Sequence, residues 1–211
     1  MRSPYLSWAW RGCAGMLFAA LVSLSACSSS PPAVMDGDVI FQTSKSSQSL
    51  AVQRATHSQY SHMGIIFLRD GNPYVLEASA TVRYTPLEKW VAHGRGGSFV
   101  VKRTHNPLSK AQIDSMKVVA RTLEGRPYDL AFEWSDSRMY CSELVWKIYD
   151  RGIGLHVGEL QALRDFDLTD PVVREKLKER YGDAVPMDEP VISPAAMFES
   201  PTLEVVAKVG V

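Results

Sequence analysis

The sequence has little cysteine, no excess of either charge and no apolar run long enough to cross a membrane. Only three of its 211 residues are cysteine, and 23 basic side chains balance 23 acidic ones. Without a basic excess or a basic stripe between aromatic residues, the chain lacks the means to neutralise phosphates, so we expect no nucleic-acid partner. Internal repeats are also absent. The length and a hydrophobic content of 45% suit one globular domain.

The longest apolar run lies near the N-terminus. Arg2 and Arg11 precede CAGMLFAALVSLSAC, which is shorter than the roughly 18 to 20 residues that a spanning helix needs. A basic start followed by a short apolar run is typical of an export signal. The run ends in LSAC, which is similar to the lipobox of bacterial lipoproteins, where the cysteine becomes the lipidated mature N-terminus.

We therefore predict a lipoprotein signal peptide over residues 1–26, lipidation of Cys27, a tether over residues 27–36 and one domain over residues 37–211. The lipid would be the protein's contact with the membrane. The residue after the cysteine is Ser28 and not an acidic residue. By analogy with other lipoproteins, this permits transfer of the protein to the outer membrane. We expect an exported, membrane-anchored protein, on the periplasmic face of the outer membrane.

The remaining sequence predicts an α+β fold. Two β-rich runs, HMGIIFL and YVLEA, flank RDGNP and predict a hairpin. Apolar residues at helical spacing predict helices over residues 109–124 and from Cys141 to Gly152, and Asp170 followed by Pro171 predicts the start of a third. The runs GDVIFQTS, GSFVVKRT and PTLEVVAKV read as strands. Regular βαβ alternation is missing, which argues against a doubly wound sheet.

Cys141 is the one thiol that remains once Cys13 has left with the signal and Cys27 carries lipid. Exported proteins commonly pair their cysteines, so an unpaired one is a candidate reactive thiol. Unpaired N–H groups and the dipole of a helix N-terminus favour the thiolate, which is the attacking form. The same N–H groups can stabilise an oxyanion. We predict that Cys141 is a nucleophile.

A cysteine nucleophile needs a base, and the base needs an orienting partner. The candidates for the base are the five histidines: His57, His62, His93, His105 and His156. If Leu68 faces Pro73 across the hairpin, Gly64 faces Glu77. His62 and Glu77 are then diagonal neighbours on one face of the sheet, where the carboxylate can accept the imidazole N–H. A register shift of one residue would separate them.

Other roles for these residues stay open on sequence alone. Cys141 could be a small buried hydrophobe, and His62 and Glu77 could be ordinary polar strand residues. Together with His57 the three could also bind zinc, but no closely spaced ligand pair such as CxxC or HExxH supports a metal site. We expect neither a metal nor another cofactor.

Six segments in order resemble one known family. They are GDVIFQTS, ATHSQYSHMGIIF, VLEA, TPLEKW, GRPYDLAFEW and YCSELVWKIY, and they resemble the permuted NlpC-like papain-fold amidases of the YiiX and YaeF type. The resemblance runs from about Gly37 to Tyr149 and more weakly beyond. It implies a circularly permuted papain-like fold, an antiparallel sheet packed with helices, in which the histidine precedes the cysteine.

By motif, the resemblance assigns Cys141 as nucleophile, His62 as base and Glu77 as its orienting residue. It places Tyr140 where the aromatic before the nucleophile shapes the substrate or oxyanion site. We expect Trp90, Trp134 and Trp146 to be core or groove wall.

The function expected is that of a monomeric envelope cysteine hydrolase that cleaves an amide, with peptidoglycan stem peptides as the leading substrate. Two alternatives remain: a lipid acyl hydrolase or acyltransferase with the same triad, and a non-catalytic envelope lipoprotein.

Overall fold

The computed structural model describes residues 33–210, so the predicted signal peptide, the lipidation site Cys27 and most of the tether lie outside the described residues. Eight strands are β1 Val39–Gln42, β2 His62–Arg69, β3 Asn72–Ala78, β4 Val82–Pro86, β5 Phe99–Thr104, β6 Gln161–Ala162, β7 Pro190–Val191 and β8 Leu203–Val209. Six α-helices are α1 Ser49–Thr56, α2 Leu87–His93, α3 Lys110–Leu123, α4 Cys141–Ile153, α5 Pro171–Tyr181 and α6 Pro194–Phe198. Within residues 33–210, none of these helices has the length and apolar character to span a bilayer.

Six strands form one antiparallel sheet in the order β4-β3-β2-β1-β5-β8. Strands β2 and β3 form the predicted hairpin, and Leu68 pairs with Pro73 as expected. The turn at Asp70 and Gly71 uses positive φ angles of 51° and 78°, which glycine adopts at little cost. The hairpin register is thereby confirmed.

The sheet buries apolar side chains on both faces. Alternate residues of β2 point to opposite sides: Met63, Ile65 and Phe67 join the larger core with α3 and α4, whereas Ile66 joins a smaller core around Trp90 of α2. Strand β2 is therefore central in both directions, and every residue from Met63 to Phe67 is buried.

The long helices begin where the sequence predicts. Ser109 caps α3 by accepting a hydrogen bond from the Gln112 N–H, and Asp170 caps α5 by accepting one from the Val172 N–H. Helix α4 begins at Cys141. The predicted α+β class with an antiparallel sheet is confirmed. Sequence analysis missed β4, α2, α6 and the two-residue strands β6 and β7.

Candidate active site

The hairpin brings His62 and Glu77 together. His62 is the first residue of β2 and Glu77 lies near the end of β3. Because the register is the predicted one, the two side chains share a sheet face, and His62 Nε2 lies 2.7 Å from Glu77 Oε2. Both side chains are largely buried, with 14% and 3% exposed. A carboxylate at this distance fixes the ring orientation and stabilises its protonated form.

Strand β4 holds the Glu77 carboxylate from its other side. Thr85 Oγ1 donates a hydrogen bond of 2.6 Å to Glu77 Oε1, and Arg83 Nε lies 3.9 Å from the same oxygen. Burial alone would raise the pKa of Glu77, but its hydrogen bonds with His62 and Thr85 and the nearby positive charges hold the pKa below its usual value. Sequence analysis missed Thr85 because β4 was not recognised. The available signal was the composition of VRYT, in which valine, tyrosine and threonine all favour strands.

Cys141 is the first residue of α4 and is 5% exposed. It is a free thiol. Its side chain is close enough to His62 to act on the imidazole through both hydrogen bonding and charge. Since Nε2 of the ring faces Glu77, Nδ1 is the nitrogen that remains for the sulfur.

The pKa of His62 reflects both partners. Burial lowers this pKa, but the hydrogen bonds with Cys141 and Glu77 and the negative charge of both groups outweigh burial and raise the pKa to about 10. The imidazolium is thus the stable form of His62 at neutral pH. An imidazolium next to a cysteine sulfur can supply the proton that a leaving group takes up after the sulfur has attacked.

Trp90 packs against the imidazole from the smaller core. Its ring stacks on the His62 ring with centroids 5.8 Å apart and an interplanar angle of 24°. Trp90 is fully buried, and Trp134 and Trp146 pack edge to face, partly buried, beside the larger core. The prediction that the three tryptophans are core or wall residues is confirmed, and Trp90 also restricts the orientation of the base.

Tyr140 and its neighbours form the wall beside Cys141. The Tyr140 hydroxyl accepts a hydrogen bond of 3.2 Å from the Ile192 N–H, and its ring packs edge to face on Phe132 at 5.1 Å. With its hydroxyl engaged in this way, Tyr140 contributes the shape of the wall. The structure therefore places this residue at the site, with its backbone N–H directed to Glu143 at 3.3 Å.

A cavity of about 90 Å³ opens beside Cys141. Its walls come from α1, α5 and the segment after β7, and most of the side chains that line it are aliphatic or aromatic. Gln48 and Tyr128 lie on one wall, where Gln48 Nε2 donates to the Tyr128 hydroxyl at 2.5 Å. Sequence analysis did not identify this cavity, because its walls are distant from one another along the chain.

The N-terminal part of helix α4 contains a buried ion pair. Glu143 and Lys147, one turn apart, are almost completely buried, and their oxygen and nitrogen lie 2.7 Å apart. Lys147 also donates to the Ser135 carbonyl at 2.7 Å and to Asp136 at 2.9 Å. Burial raises the pKa of Glu143 to about 7 although Lys147 lowers it. The pair fixes the first turn of the helix that carries Cys141.

The other four described histidines have different surroundings, and His93 lies exposed at the end of α2. His57 lies 3.2 Å from Asp167 and is mostly exposed, His156 lies 2.9 Å from Asp150, and His105 contacts the Pro201 carbonyl at 3.0 Å. None of these contacts involves Cys141 or Glu77. Across residues 33–210, no three histidine, cysteine, aspartate or glutamate side chains are grouped so that they could hold a metal ion.

The structure has an antiparallel sheet packed on a helix that begins with a cysteine. A histidine lies on a neighbouring strand and comes earlier in the chain. Together these features define a papain-like fold in permuted order. The family model of the permuted papain-like amidase enzymes, YaeF/YiiX, C92 family, matches residues 33–207, and the chain belongs to this family. The predicted family and fold are confirmed.

Two relatives lie close in sequence. The chain is 49% identical over 193 residues to the uncharacterized protein YiiX of Escherichia coli K12, covering 92% of this chain and 94% of that protein. It is also similar to the crystal structure of the metalloprotein YiiX from Escherichia coli O157:H7, with 51% identity and a TM-score of 0.81 over 83% of this chain and 97% of that one.

Proposed function

We propose that this chain is a monomeric cysteine hydrolase of the cell envelope that cleaves an amide bond in peptidoglycan stem peptides. The observation that carries the proposal is the 2.7 Å contact between His62 and Glu77, on the imidazole that also interacts with Cys141. Membership of an amidase family supports the type of bond. The predicted export signal supports the location of the substrate.

In the first step the Cys141 sulfur attacks the carbonyl carbon of the amide. A C–S bond forms, and backbone N–H groups at the N-terminus of α4 stabilise the negative oxygen of the tetrahedral intermediate. The imidazolium of His62 then gives its proton to the amide nitrogen, the C–N bond breaks, and the amine leaves. The acyl group remains on sulfur as a thioester.

In the second step water hydrolyses the thioester. His62, now neutral, takes a proton from the water as it attacks, the C–S bond breaks, and the acid product leaves. The imidazolium beside the thiolate is restored. Glu77 keeps its negative charge throughout and holds the ring so that one nitrogen faces the sulfur, in the manner of the third member of a triad.

Digestion of isolated peptidoglycan sacculi tests the proposal directly. We expect wild-type protein to release stem-peptide fragments that mass spectrometry identifies, and Cys141→Ala and His62→Ala to abolish the release while folding normally by circular dichroism. Retained cleavage by Cys141→Ala contradicts the mechanism. A wild-type protein whose Cys141 is unreactive toward alkylating probes at neutral pH favours a non-catalytic lipoprotein.

His57→Ala is the matched control for the histidine variant. Its side chain is 76% exposed and pairs with Asp167, so its removal is expected to leave cleavage unchanged. A loss of activity in this variant favours the metal constellation over the triad. Loss of wild-type activity on chelation, with recovery when zinc is added, favours it too.

A second candidate function uses the same triad on a lipid acyl group, as a hydrolase or acyltransferase. The mainly apolar cavity beside Cys141 favours it, because a hydrocarbon chain gains free energy on entering such a surface. Incubation with phospholipids in place of muropeptides distinguishes the two. Release of fatty acid with intact muropeptides supports the lipid substrate.

We further propose that Cys27 is lipidated after removal of residues 1–26 and anchors the protein to the periplasmic face of the outer membrane. Metabolic labelling with radioactive palmitate is expected to label the wild type and not Cys27→Ser. Membrane fractionation of the two proteins locates the anchored form. Labelling that persists in Cys27→Ser contradicts the assignment.

A further inference from the structure

The cavity beside Cys141 combines an apolar wall with positive charge. Aliphatic surface comes from four residues: Val52 of α1, Leu163, and Val173 and Leu177 of α5. Val52 and Leu177 are only partly buried, so this surface opens to solvent. Aliphatic surface of this kind next to a nucleophile is expected to take up a hydrocarbon part of the substrate.

The charged side chains that line the cavity have one sign. Arg180 and Lys176, both on α5, are basic, and among the described residues that line the cavity none is acidic. Lys176 pairs with Glu179 at 2.5 Å, outside the cavity. Arg180 has no ion-pair partner within residues 33–210, and instead donates from Nη2 to Gln48 Oε1 at 2.6 Å. An unpaired guanidinium at the wall is free to attract an anion.

The position of Arg180 is built into the cavity wall. Its guanidinium lies over the Phe132 ring, 4.6 Å from the centroid. Phe132 has a φ of 51°, an uncommon backbone conformation for a bulky residue, and its ring in turn contacts Tyr140. Contacts between protein groups thus link Arg180 to the residue before Cys141, and hold the charge beside the apolar wall.

We propose that this cavity binds the aliphatic chain of the acyl part of the substrate, together with an anionic group of the same substrate that is separate from the scissile bond. The aliphatic chain contacts the α1 and α5 walls and the anionic group contacts Arg180. The assignment of the acyl side rests on the proposed attack by Cys141. A phospholipid, with its fatty acyl chain and its phosphate, and a peptide, with an aliphatic residue and a carboxylate, share this chemistry.

Binding of simple carboxylates to Cys141→Ala protein tests the inference without any turnover. Butyrate, hexanoate and octanoate are titrated into the protein, and affinity is measured by calorimetry and amide NMR shifts. Each methylene that enters the cavity is expected to strengthen binding about fourfold until the cavity is filled. The matched alkyltrimethylammonium ions are expected to bind at least about tenfold more weakly.

Two variants of Cys141→Ala separate the contributions. Arg180→Gln is expected to remove the preference for carboxylate over ammonium and to keep the dependence on chain length, whereas Val52→Trp is expected to remove the dependence on chain length. Arg174→Gln is the control, because Arg174 lies exposed on the same helix and outside the cavity. Affinity independent of chain length, or equal binding of cations and anions, overturns the proposal.

The same titration distinguishes the two sources of the acyl group. Tighter binding of hexanoate or octanoate than of N-acetylalanine and N-acetylleucine indicates a fatty acyl substrate, and the reverse order indicates a peptide. Because Cys141→Ala cannot form an acyl-enzyme, failure of the wild type to cleave sacculi or lipids leaves this binding result intact. Cleavage without chain-length-dependent binding refutes only the cavity assignment.

Discussion

At the scale of single residues, the charge state of His62 depends on the carboxylate next to it. Glu77 is one of the groups that raise the pKa of His62, from its ordinary value to about 10. We predict that Glu77→Gln moves this pKa downward, because the amide is uncharged and burial then opposes the imidazolium with less compensation. Titration of the His62 ring signals by NMR measures the shift.

The control for this titration is Glu88→Gln, which removes an exposed carboxylate on α2. The pKa of His62 in that variant is expected to match the wild type. If Glu77→Gln leaves the His62 pKa unchanged, the 2.7 Å contact does not govern the protonation of the base.

Thr85 acts on the base through Glu77. Its hydroxyl donates at 2.6 Å to the carboxylate oxygen that does not face His62. Thr85→Val keeps the shape of the side chain and removes the donor, so we predict that hydrolysis slows about tenfold as the carboxylate loses its fixed position. Thr85→Ser restores the donor and is expected to restore the rate. Equal rates for the valine and serine variants contradict a positioning role.

At the scale of elements, the first turn of α4 contains the carboxyl group of Glu143, whose ionised form is disfavoured by burial. Burial raises the pKa of Glu143 from 4.5 to about 7, so over this range the folded state binds more protons than the unfolded state. The contribution of Glu143 to stability is therefore complete below pH 4.5 and decreases as the pH rises through about 7.

Glu143→Gln imitates the protonated carboxyl at every pH. We predict that, relative to this variant, the wild type loses on the order of 1–3 kcal/mol of unfolding free energy between pH 4.5 and pH 8. Urea denaturation at the two pH values measures the difference. Glu175→Gln, at an exposed position of α5, is expected to show no such dependence. A constant difference between wild type and Glu143→Gln contradicts the shifted pKa.

Elements with strong local signals were predictable from the sequence, and elements defined by distant contacts were not. Helix α3 has its Ser109 cap and apolar spacing, and the hairpin has its turn residues, so both followed from nearby sequence. Strands β6 and β7 have two residues each and are separated by residues 163–189, so no local pattern indicates that they pair. Strand β4 ends at Pro86 and α2 begins at the next residue, and each is too short for its apolar periodicity to identify it.

The same difference applies to the site. The relation of His62 to Glu77 depended on one hairpin and could be worked out from its register. Cys141 and His62 are far apart in the chain. Their proximity was predicted from the need of a cysteine nucleophile for a histidine base and from a family resemblance. The cavity needed α1 and α5 to pack together, and its Arg180 to Gln48 contact spans 132 positions. Such contacts depend on tertiary packing, so they were not predicted.

At the scale of the whole molecule, the proposed site depends on how α4 packs against the sheet. The histidine strand comes early in the chain and the cysteine helix late, so the two residues meet only when the larger core forms between β2, α3 and α4. That core is continuous, and the residues of α4 that follow Cys141 are buried within it. Stability of this interface and geometry of the site should therefore change together.

Leu144, one turn into α4 and fully buried, tests this dependence. Leu144→Ala removes about three carbons from the core and leaves a cavity, so we predict a loss of about 2–5 kcal/mol in unfolding free energy, measured in urea. Val118→Ala, at a half-exposed position of α3, is expected to change it by less than about 0.5 kcal/mol. Slower alkylation of Cys141 in Leu144→Ala at low denaturant would follow if the helix shifts away from His62. A stability loss below about 1 kcal/mol would show that the α4 contact with the sheet contributes little to holding the two halves of the site together.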